Sequence, residues 1–248
     1  MLVLAVESAT NVASAALVSG TQVVAEFNLN DSKTHSEKLM PLVAQVMEFS
    51  GVSLQDLDGI AVSIGPGSFT GLRIGLASVK ALAFFYDKPV VGIPTLDGLA
   101  RSVVSAEGLL CPVLTARKDE IYCALYIKAA SGLERLSNYM AVSPKKLLSL
   151  ISKIDHSKVT FVGDGLELLP PELLQDLGTG WSRAASEQNY TRAALVGLLG
   201  VERLTRNEPD DLSSLTPFYI RPSAAEAGFQ SDKNSSKGGC SWLTVERP

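Results

Sequence analysis

Three short apolar segments open the chain, and they constrain its fold more than any other feature of the sequence. Residues 2–6, 12–18 and 22–28 have the composition of β-strands, and polar turns at 8–11 and 20–21 separate them. Such short turns join antiparallel neighbours, because a parallel crossover needs about a dozen residues or more. The segments therefore predict an antiparallel meander of three strands.

Helices and strands alternate after this meander. The pattern predicts a helix over 33–49, a strand over 59–64, a helix over 69–86, a strand over 89–93 and a helix after Thr95. This order, βββαβαβα, combines a meander with strands that are joined by helices. We therefore expect an α/β fold in which helices cover a mixed sheet.

The same order begins again near residue 108. The predicted elements of this second part are strands at 109–115, 121–127 and 134–140, a helix over 144–151, a strand at 159–162 and a helix over 191–204. We expect an N-terminal domain over 1–107 and a C-terminal domain of related type over 108–227. Residues 228–248 are rich in Ser, Lys, Gly and Asn, and this composition predicts a disordered tail.

Composition narrows the classes of function. Hydrophobic residues make up 46% of the chain and charged residues 19%, which is enough apolar material for a large core. The net charge is −4, so no broad basic surface is expected to hold a nucleic acid without a partner. Three scattered cysteines and two histidines supply few zinc ligands and favour reduced thiols in the cytoplasm. No membrane span is expected, because Lys80 interrupts the best apolar candidate.

A glycine-rich segment, 63–75, connects a predicted strand to a predicted helix. Backbone N–H groups in such a turn can hold an anion. The spacing matches neither common phosphate motif, because no Lys follows Gly71 and the glycines read GxGxxxG. Alternatively, Gly65 and Gly67 permit a sharp turn, and Gly71 and Gly75 permit close helix packing. The sequence leaves both interpretations open.

The candidates for an anion-binding loop are Glu7, Ser8, Gly65, Gly67 and Ser68. Glu7 and Ser8 follow the first strand, where nucleotide-binding folds often place acidic and hydroxyl groups, although local hydrogen bonding explains them equally well.

No catalytic constellation emerges from the sequence. Ser68 lacks a Gly-x-Ser-x-Gly context, and no base lies near it in the chain. His35 has Leu39 at the i+4 position where a helical metal pair needs a second histidine. We therefore expect neither catalytic residues nor a metal site.

The first two helices have unusually wide apolar faces. On the first helix the apolar arc covers about 220°, whereas a helix that covers one core needs about 100°. One interpretation is an internal helix in a large core, and the other is a partner surface formed by both helices. The residues expected at that partner surface are His35, Leu39, Met40, Val43, Val46, Met47, Arg73, Leu76, Ala77 and Lys80.

Five segments together resemble the TsaB (YeaZ) family of bacterial tRNA threonylcarbamoyladenosine biosynthesis proteins. They are Glu-Ser-Ala-Thr at 7–10, His-Ser-Glu-Lys-Leu-Met-Pro at 35–41, Gly-Pro-Gly-Ser-Phe-Thr-Gly-Leu-Arg at 65–73, Ala-Arg-Lys-Asp-Glu-Ile-Tyr at 116–122 and Phe-Tyr-Ile-Arg-Pro at 218–222. The resemblance runs in order from residue 1 to about 222, and the glycine-rich segment is specific to this family.

The resemblance implies a fold, partners and a function. The fold would be the actin-like, sugar-kinase and Hsp70-like (ASKHA) ATPase type in two subdomains with mixed sheets. Family members are non-catalytic paralogues of TsaD, the subunit that transfers a threonylcarbamoyl group to an adenosine of tRNA. They pair with TsaD through the first two helices, help to recruit the ATPase TsaE, form homodimers when alone and meet tRNA only within the complex.

The resemblance also indicates which cofactors to expect. The first phosphate loop of this fold usually begins with Asp and contains Gly, whereas this chain has Glu7 and Ala9. The related catalytic subunit carries an HxxxH metal pair, whereas this chain has Leu39 after His35. We therefore expect no tightly bound cofactor here, with ATP and a metal ion belonging to the partner subunits. The alternatives are a small-molecule kinase of the same fold and a peptidase.

Overall fold

The computed structural model divides the chain into two units. It describes residues 1–30, 35–104, 108–117, 119–129, 132–154, 157–175 and 180–220. Unit 1 comprises Met1–Ser102 and Tyr190–Phe218, and unit 2 is built on Val103–Asn189. The predicted tail, 228–248, lies outside the described residues.

The sheet of unit 1 has five strands in the order β3-β2-β1-β4-β5. The strands are β1 (Leu2–Glu7), β2 (Val12–Ser19), β3 (Gln22–Asn30), β4 (Gly59–Gly65) and β5 (Val90–Pro94). Strands β1 to β3 pair antiparallel, and β4 pairs parallel with β1 and β5. The sheet is mixed, as the meander followed by helix-connected strands predicts.

Helices cover both faces of this sheet. They are α1 (His35–Ser50), α2 (Phe69–Tyr86), α3 (Thr95–Arg101) and α6 (Ala193–Thr205). Because side chains alternate along a strand, Leu4 and Val6 share one core with α1 and α2, whereas Val3 and Ala5 share another with α6. Helix α3 packs beside α6.

Helix α2 is a core helix with one exposed side. Its start is capped by the Ser68 side chain, which accepts the Gly71 N–H, and it ends at Asp87 in the left-handed conformation. By length and composition alone, Phe69–Tyr86 could cross a membrane, but a third of it is buried within the chain. The buried residues are Gly71, Leu72, Gly75, Leu76, Val79 and Ala83.

The segment after α6 runs back along the edge strand β5. Asp210 donates its N–H to Val90 O at 2.8 Å and accepts the Gly92 N–H at 2.6 Å. This pairing covers an otherwise open sheet edge. The predicted domain boundaries therefore need correction, because residues 190–218, which the sequence placed in the C-terminal domain, belong to unit 1.

Unit 2 contains a second mixed sheet, in the order β10-β7-β6-β11-β12, in which β8 also pairs with β6 and β9 pairs with β8. Its strands are β6 (Leu109–Arg117), β7 (Glu120–Cys123), β8 (Tyr126–Ala129), β9 (Gly132–Arg135), β10 (Met140–Val142), β11 (Val159–Val162) and β12 (Trp181–Arg183). Its helices are α4 (Pro144–Ile151) and α5 (Pro171–Gln175).

The second predicted strand of unit 2 is divided in two. The sequence predicts one strand over 121–127, but β7 ends at Cys123 and β8 begins at Tyr126. The interruption comes from residues outside the predicted strand: Leu125 donates its N–H to the Ser137 hydroxyl at 2.9 Å and accepts the Leu136 N–H at 2.7 Å. Leu125 therefore bonds to a later loop instead of continuing the strand.

Candidate functional site

The turn after β1 is organised by a buried carboxylate. Glu7 is 1% exposed, and its Oε1 accepts the Ala9 N–H at 2.6 Å. The hydroxyl of Ser63 on β4 also bonds to this side chain and accepts the Ser8 N–H at 3.4 Å. Burial raises the pKa of Glu7 from 4.5 to about 7, because the lost hydration outweighs the hydrogen bonds that favour the carboxylate.

The glycines of α2 allow this helix to lie directly on the turn. The Ser8 hydroxyl donates to Gly71 O at 2.9 Å. A Cβ at Gly71 would overlap Ser8 O, and one at Gly75 would overlap the Ser8 hydroxyl. These two glycines therefore serve close packing, which is one of the two interpretations that the sequence left open.

The loop before α2 contacts the same turn. The Ser68 N–H donates to Ala9 O at 2.7 Å, and a Cβ at Gly67 would overlap that oxygen. Gly65 lies elsewhere: its φ is +115°, and a Cβ there would be 2.6 Å from the Phe218 carbonyl oxygen. Of the five residues predicted for an anion loop, the structure brings Glu7, Ser8, Gly67 and Ser68 together at the turn, whereas the open side of Gly65 faces Phe218.

Two N–H groups of this turn already have acceptors within the chain. Glu7 accepts the Ala9 N–H, and the Ser68 side chain accepts the Gly71 N–H. A Cβ at Gly67, Gly71 or Gly75 would overlap an atom of the turn. Side chains of the protein therefore fill two positions at which this turn could hold an anion.

The N-terminus of α6 is filled in the same way. Ala193 donates its N–H to the Ser14 hydroxyl at 2.9 Å, and Ala194 donates to Glu26 Oε1 at 3.0 Å. Glu26 is buried and also pairs with Arg192. A carboxylate of the chain thus takes the place at which a helix N-terminus would attract a bound anion.

His35 joins α1 to the turn. Its Nε2 lies 2.6 Å from Thr10 O, and the Thr10 hydroxyl bonds to the Thr191 hydroxyl at 2.8 Å. Leu39, one turn further along α1, is buried in the core. Among the described residues, no three His, Cys, Asp or Glu side chains form a group that could hold a metal ion.

The expected partner surface needs correction for half of its residues. Five of the ten predicted side chains face the core of unit 1 and do not reach the outer side of α1 and α2, because about half of the circumference of α1 packs on the sheet. They are Leu39, Val43, Val46 and Met47 of α1 and Leu76 of α2.

An apolar outer face remains on the same helices. We define it by Met40, Ala77, Phe84 and Phe85, which are all exposed, Phe84 to 83% and Phe85 to 76%. At 100° per residue, Ala77 and Phe84 lie within about 20° of each other on α2.

The two basic residues of α2 have partners within the chain. The Arg73 guanidinium lies 3.8 Å from the centre of the Phe69 ring, a cation–π contact. Lys80 donates to Ser213 O at 3.4 Å. Arg73 is exposed beside the outer face. Lys80 is half-buried, and its hydrogen bond to Ser213 joins α2 to the segment that follows α6.

The cysteines of unit 2 are poor nucleophiles. Cys111 and Cys123 are both fully buried. Burial raises the pKa of Cys123 to about 12 and that of Cys111 well above its ordinary value. Thiolates would therefore be scarce at neutral pH.

Sequence reasoning missed Glu26, Arg192, Ser14 and Ser63. Their partners are remote in the chain, and Glu26 and Arg192 are 166 residues apart. The one available signal was Glu26 itself, a single charge within the apolar strand segment 23–27.

Comparison with known proteins identifies the family. Residues 22–229 match the family model of TsaD, tRNA N6-adenosine threonylcarbamoyltransferase. The tRNA threonylcarbamoyladenosine biosynthesis protein TsaB of Bacillus subtilis is 31% identical over 227 residues, which cover 92% of this chain and 97% of that protein. The chain belongs to the TsaB family. The Escherichia coli TsaB is 32% identical over 68% of this chain and 74% of its own length.

A solved TsaB-family structure has the same fold. YeaZ from Pseudomonas aeruginosa superposes with a TM-score of 0.72 at 24% identity, over 88% of this chain and 99% of that one. The chain has the α/β ASKHA-type fold with mixed sheets, which confirms the expectation from the sequence motifs.

Proposed function

We propose that this chain is a non-catalytic subunit of a complex that makes threonylcarbamoyladenosine in tRNA. In this role it pairs with a TsaD-type transferase subunit and helps to recruit a TsaE-type ATPase. Membership of the TsaB family supports the pathway. The scaffold role, the homodimer formed in the absence of the partner, the contact with tRNA only within the complex and the cytoplasmic location are parts of this proposal.

The outer face of α1 and α2 is the observation that carries the proposal. Phe84 and Phe85 are large aromatic side chains at high exposure, on a helix whose opposite side is already packed in the core. Exposed apolar patches of this kind mark contact surfaces in soluble proteins. Aromatic and methionine side chains are also enriched at the centres of interfaces.

The turn after β1 supports the non-catalytic role. Its backbone N–H groups are occupied by Glu7 and Ser68, and α2 closes over it. In this proposal ATP and the metal ion belong to the partner subunits. A small-molecule kinase of the same fold would bind Mg·ATP by itself, so a thermal-shift titration of the isolated chain with Mg·ATP separates the two functions, and we expect no stabilisation.

Charged substitutions on the outer face test the pairing. Ala77→Glu and Phe84→Glu place a carboxylate where a partner would have to desolvate it, so we expect at least about 100-fold weaker pairing with a TsaD-type subunit. Leu133→Glu is the matched control, since Leu133 is an exposed apolar residue of unit 2 at 38%.

Two measurements read out these variants. Size-exclusion chromatography with light scattering reports pairing, and a reconstituted tRNA-modification assay reports function. Normal pairing and normal modification by both outer-face variants would contradict the proposal.

A further inference from the structure

Three consecutive residues, Ser8 to Thr10, hold the beginnings of both helices of the outer face. Ser8 bonds to Gly71 of α2 at 2.9 Å, and Ala9 accepts the Ser68 N–H at 2.7 Å just before α2. The carbonyl oxygen of Thr10 lies 2.6 Å from Nε2 of His35, the first residue of α1. Any change in the conformation of this turn is therefore transmitted to both helices.

Glu7 determines the conformation of the turn. Its carboxylate accepts the Ala9 N–H, two residues further along the chain, at 2.6 Å. The side chain is completely enclosed, and the hydroxyl of Ser63, which accepts the Ser8 N–H at 3.4 Å, is its other partner. A carboxylate in this position satisfies an N–H group that would otherwise be buried without an acceptor.

The neighbouring elements offer Glu7 no opposite charge among the described residues. Burial and neutral hydrogen-bond donors account for its pKa, which is about 7. The titratable and charged side chains on the elements around the turn are His35, Glu37, Lys38 and Glu48 on α1, Arg73 and Lys80 on α2, Glu26 on β3 and Arg192 before α6. The pKa of Glu7 has no contribution from any of these charges. His35 bonds to Thr10 O, Arg73 stacks on Phe69, and Arg192 pairs with Glu26. β2 and β4 contribute the hydroxyls of Ser14 and Ser63.

We propose that Glu7 is the positioning residue of the outer face: its carboxylate holds the Ser8–Thr10 turn, and through the turn the first turns of α1 and α2, in the geometry that a partner binds. The inference rests on the proposed function for the identity of the partner. An unpaired buried carboxylate lowers stability at neutral pH, so its presence at this point is explained by a role beyond packing. A protonated carboxyl would have to donate its own proton, and this would change the hydrogen bonds at Ser63 and Ala9.

The substitution Glu7→Gln tests the inference, because it keeps the shape of the side chain and removes the charge. Glu26→Gln is the matched control, since Glu26 is also buried but caps α6 on the opposite face of the sheet. Amide hydrogen exchange of the isolated chains at pH 8 is the first readout. We expect about tenfold faster exchange in residues 35–39 and 69–75 for Glu7→Gln, and in residues 193–195 for Glu26→Gln.

Affinity for a TsaD-type subunit, measured from pH 6 to pH 8.5, is the second readout. We expect the wild-type affinity to fall about tenfold as the pH drops below 7, and Glu7→Gln to bind at the lower level throughout. The melting temperature at pH 8 is the third readout. It should be higher for Glu7→Gln than for the wild type, because the substitution removes a buried charge. Higher stability with weaker binding is the signature of a positioning role, because a residue that only stabilises the fold would lower both.

Each outcome separates the inference from the proposed function. Unchanged exchange and unchanged affinity in Glu7→Gln overturn the inference, and so does a parallel loss of stability and affinity. If Glu7→Gln does not fold, the amide protection factors of residues 35–39 and 69–75 in the wild-type chain, corrected for the intrinsic pH dependence of exchange, give the same test between pH 6 and pH 8.5, and protection factors that do not change with pH overturn the inference. If the exchange changes as expected but the wild type binds no TsaD-type subunit, the proposed function fails while the positioning role stands.

Discussion

The two helical layers on the sheet of unit 1 expose different kinds of side chain to solvent. Helices α3 and α6 present an ion pair, in which Arg101 and Glu202 lie 2.7 Å apart, and their apolar residues Leu198 and Leu199 are partly buried. Helices α1 and α2 instead expose Phe84 and Phe85. Both layers pack on the same strands from opposite faces.

This difference shows that a helical layer can be fully packed against the sheet on its inner side and still leave apolar side chains exposed on its outer side. The α3–α6 layer carries charges on its outer side, which water solvates well. The α1–α2 layer carries aromatic side chains there, and a second protein surface would cover them at a gain in free energy. In our proposal that surface belongs to the TsaD-type partner.

The largest effect is expected from a charge on the inner side of α1. Val43 is 2% exposed, so Val43→Glu buries a carboxylate and should lower the free energy of unfolding by about 4 kcal/mol. Met40→Glu, on the outer side of the same helix, should change it by less than about 0.5 kcal/mol. Urea unfolding of both variants measures the difference. Equal destabilisation would show that Met40 packs in the core as Val43 does.

The pH dependence of stability separates Glu7 from other carboxylates. The pKa of Glu7 is raised in the folded chain from 4.5 to about 7, so folding favours its neutral form. Its contribution is therefore fully present below pH 4.5 and is lost as the pH rises to about 7, a change of about 3 kcal/mol. The stability of Glu7→Gln relative to the wild type should increase over this interval and stay constant above it. A difference that is independent of pH would contradict the burial of an ionisable group at this position.

Alanine substitutions at two glycines, Gly71 in the α1–α2 layer and Gly98 in the α3–α6 layer, compare how tightly each layer packs on its neighbours. Gly71→Ala places a methyl group against Ser8 O, so we expect a loss of about 2–3 kcal/mol. At Gly98 in α3, the nearest atom to an added Cβ is Val196 Cγ2 at 3.7 Å, so Gly98→Ala should be neutral or stabilise by up to about 1 kcal/mol. Chemical denaturation gives both values. A tolerated Gly71→Ala would mean that α2 does not rest on the turn after β1.

The smallest effect is expected from the exposed ion pair of the α3–α6 layer. Arg101 and Glu202 are both more than a third exposed, so solvent and salt screen their attraction. Arg101→Ala should cost less than about 1 kcal/mol, and most of this loss should disappear at high salt. Thermal unfolding at low and high ionic strength measures it, and a large loss at high salt would assign Arg101 a structural role.

Local patterns predicted the secondary structure well. The three meander strands and α2 from Phe69 to Tyr86 were readable from the sequence, because each depends on neighbours within a few positions. The meander and the helix-connected strands also predicted the mixed sheet. The prediction was wrong where a remote group intervened, as at Leu125, which bonds to the hydroxyl of Ser137.

The candidate site was only partly predictable. The sequence singled out Glu7, Ser8, Gly71 and His35 but left open whether the glycines serve an anion or close packing. It also assigned the inward-facing Val43 to the partner surface, because a wide apolar arc does not reveal which part of it meets the sheet.

The sequence by itself determined the order of strands and helices in unit 1, the family and the residue types at the turn after β1. Tertiary structure decided which half of α1 is buried, which chain segment covers β5 and which groups surround Glu7. The physical reason is distance along the chain. Helical and strand periodicity arise from residues a few positions apart, whereas the pairing of Glu26 with Arg192, 166 residues away, depends on the whole of unit 1 having assembled.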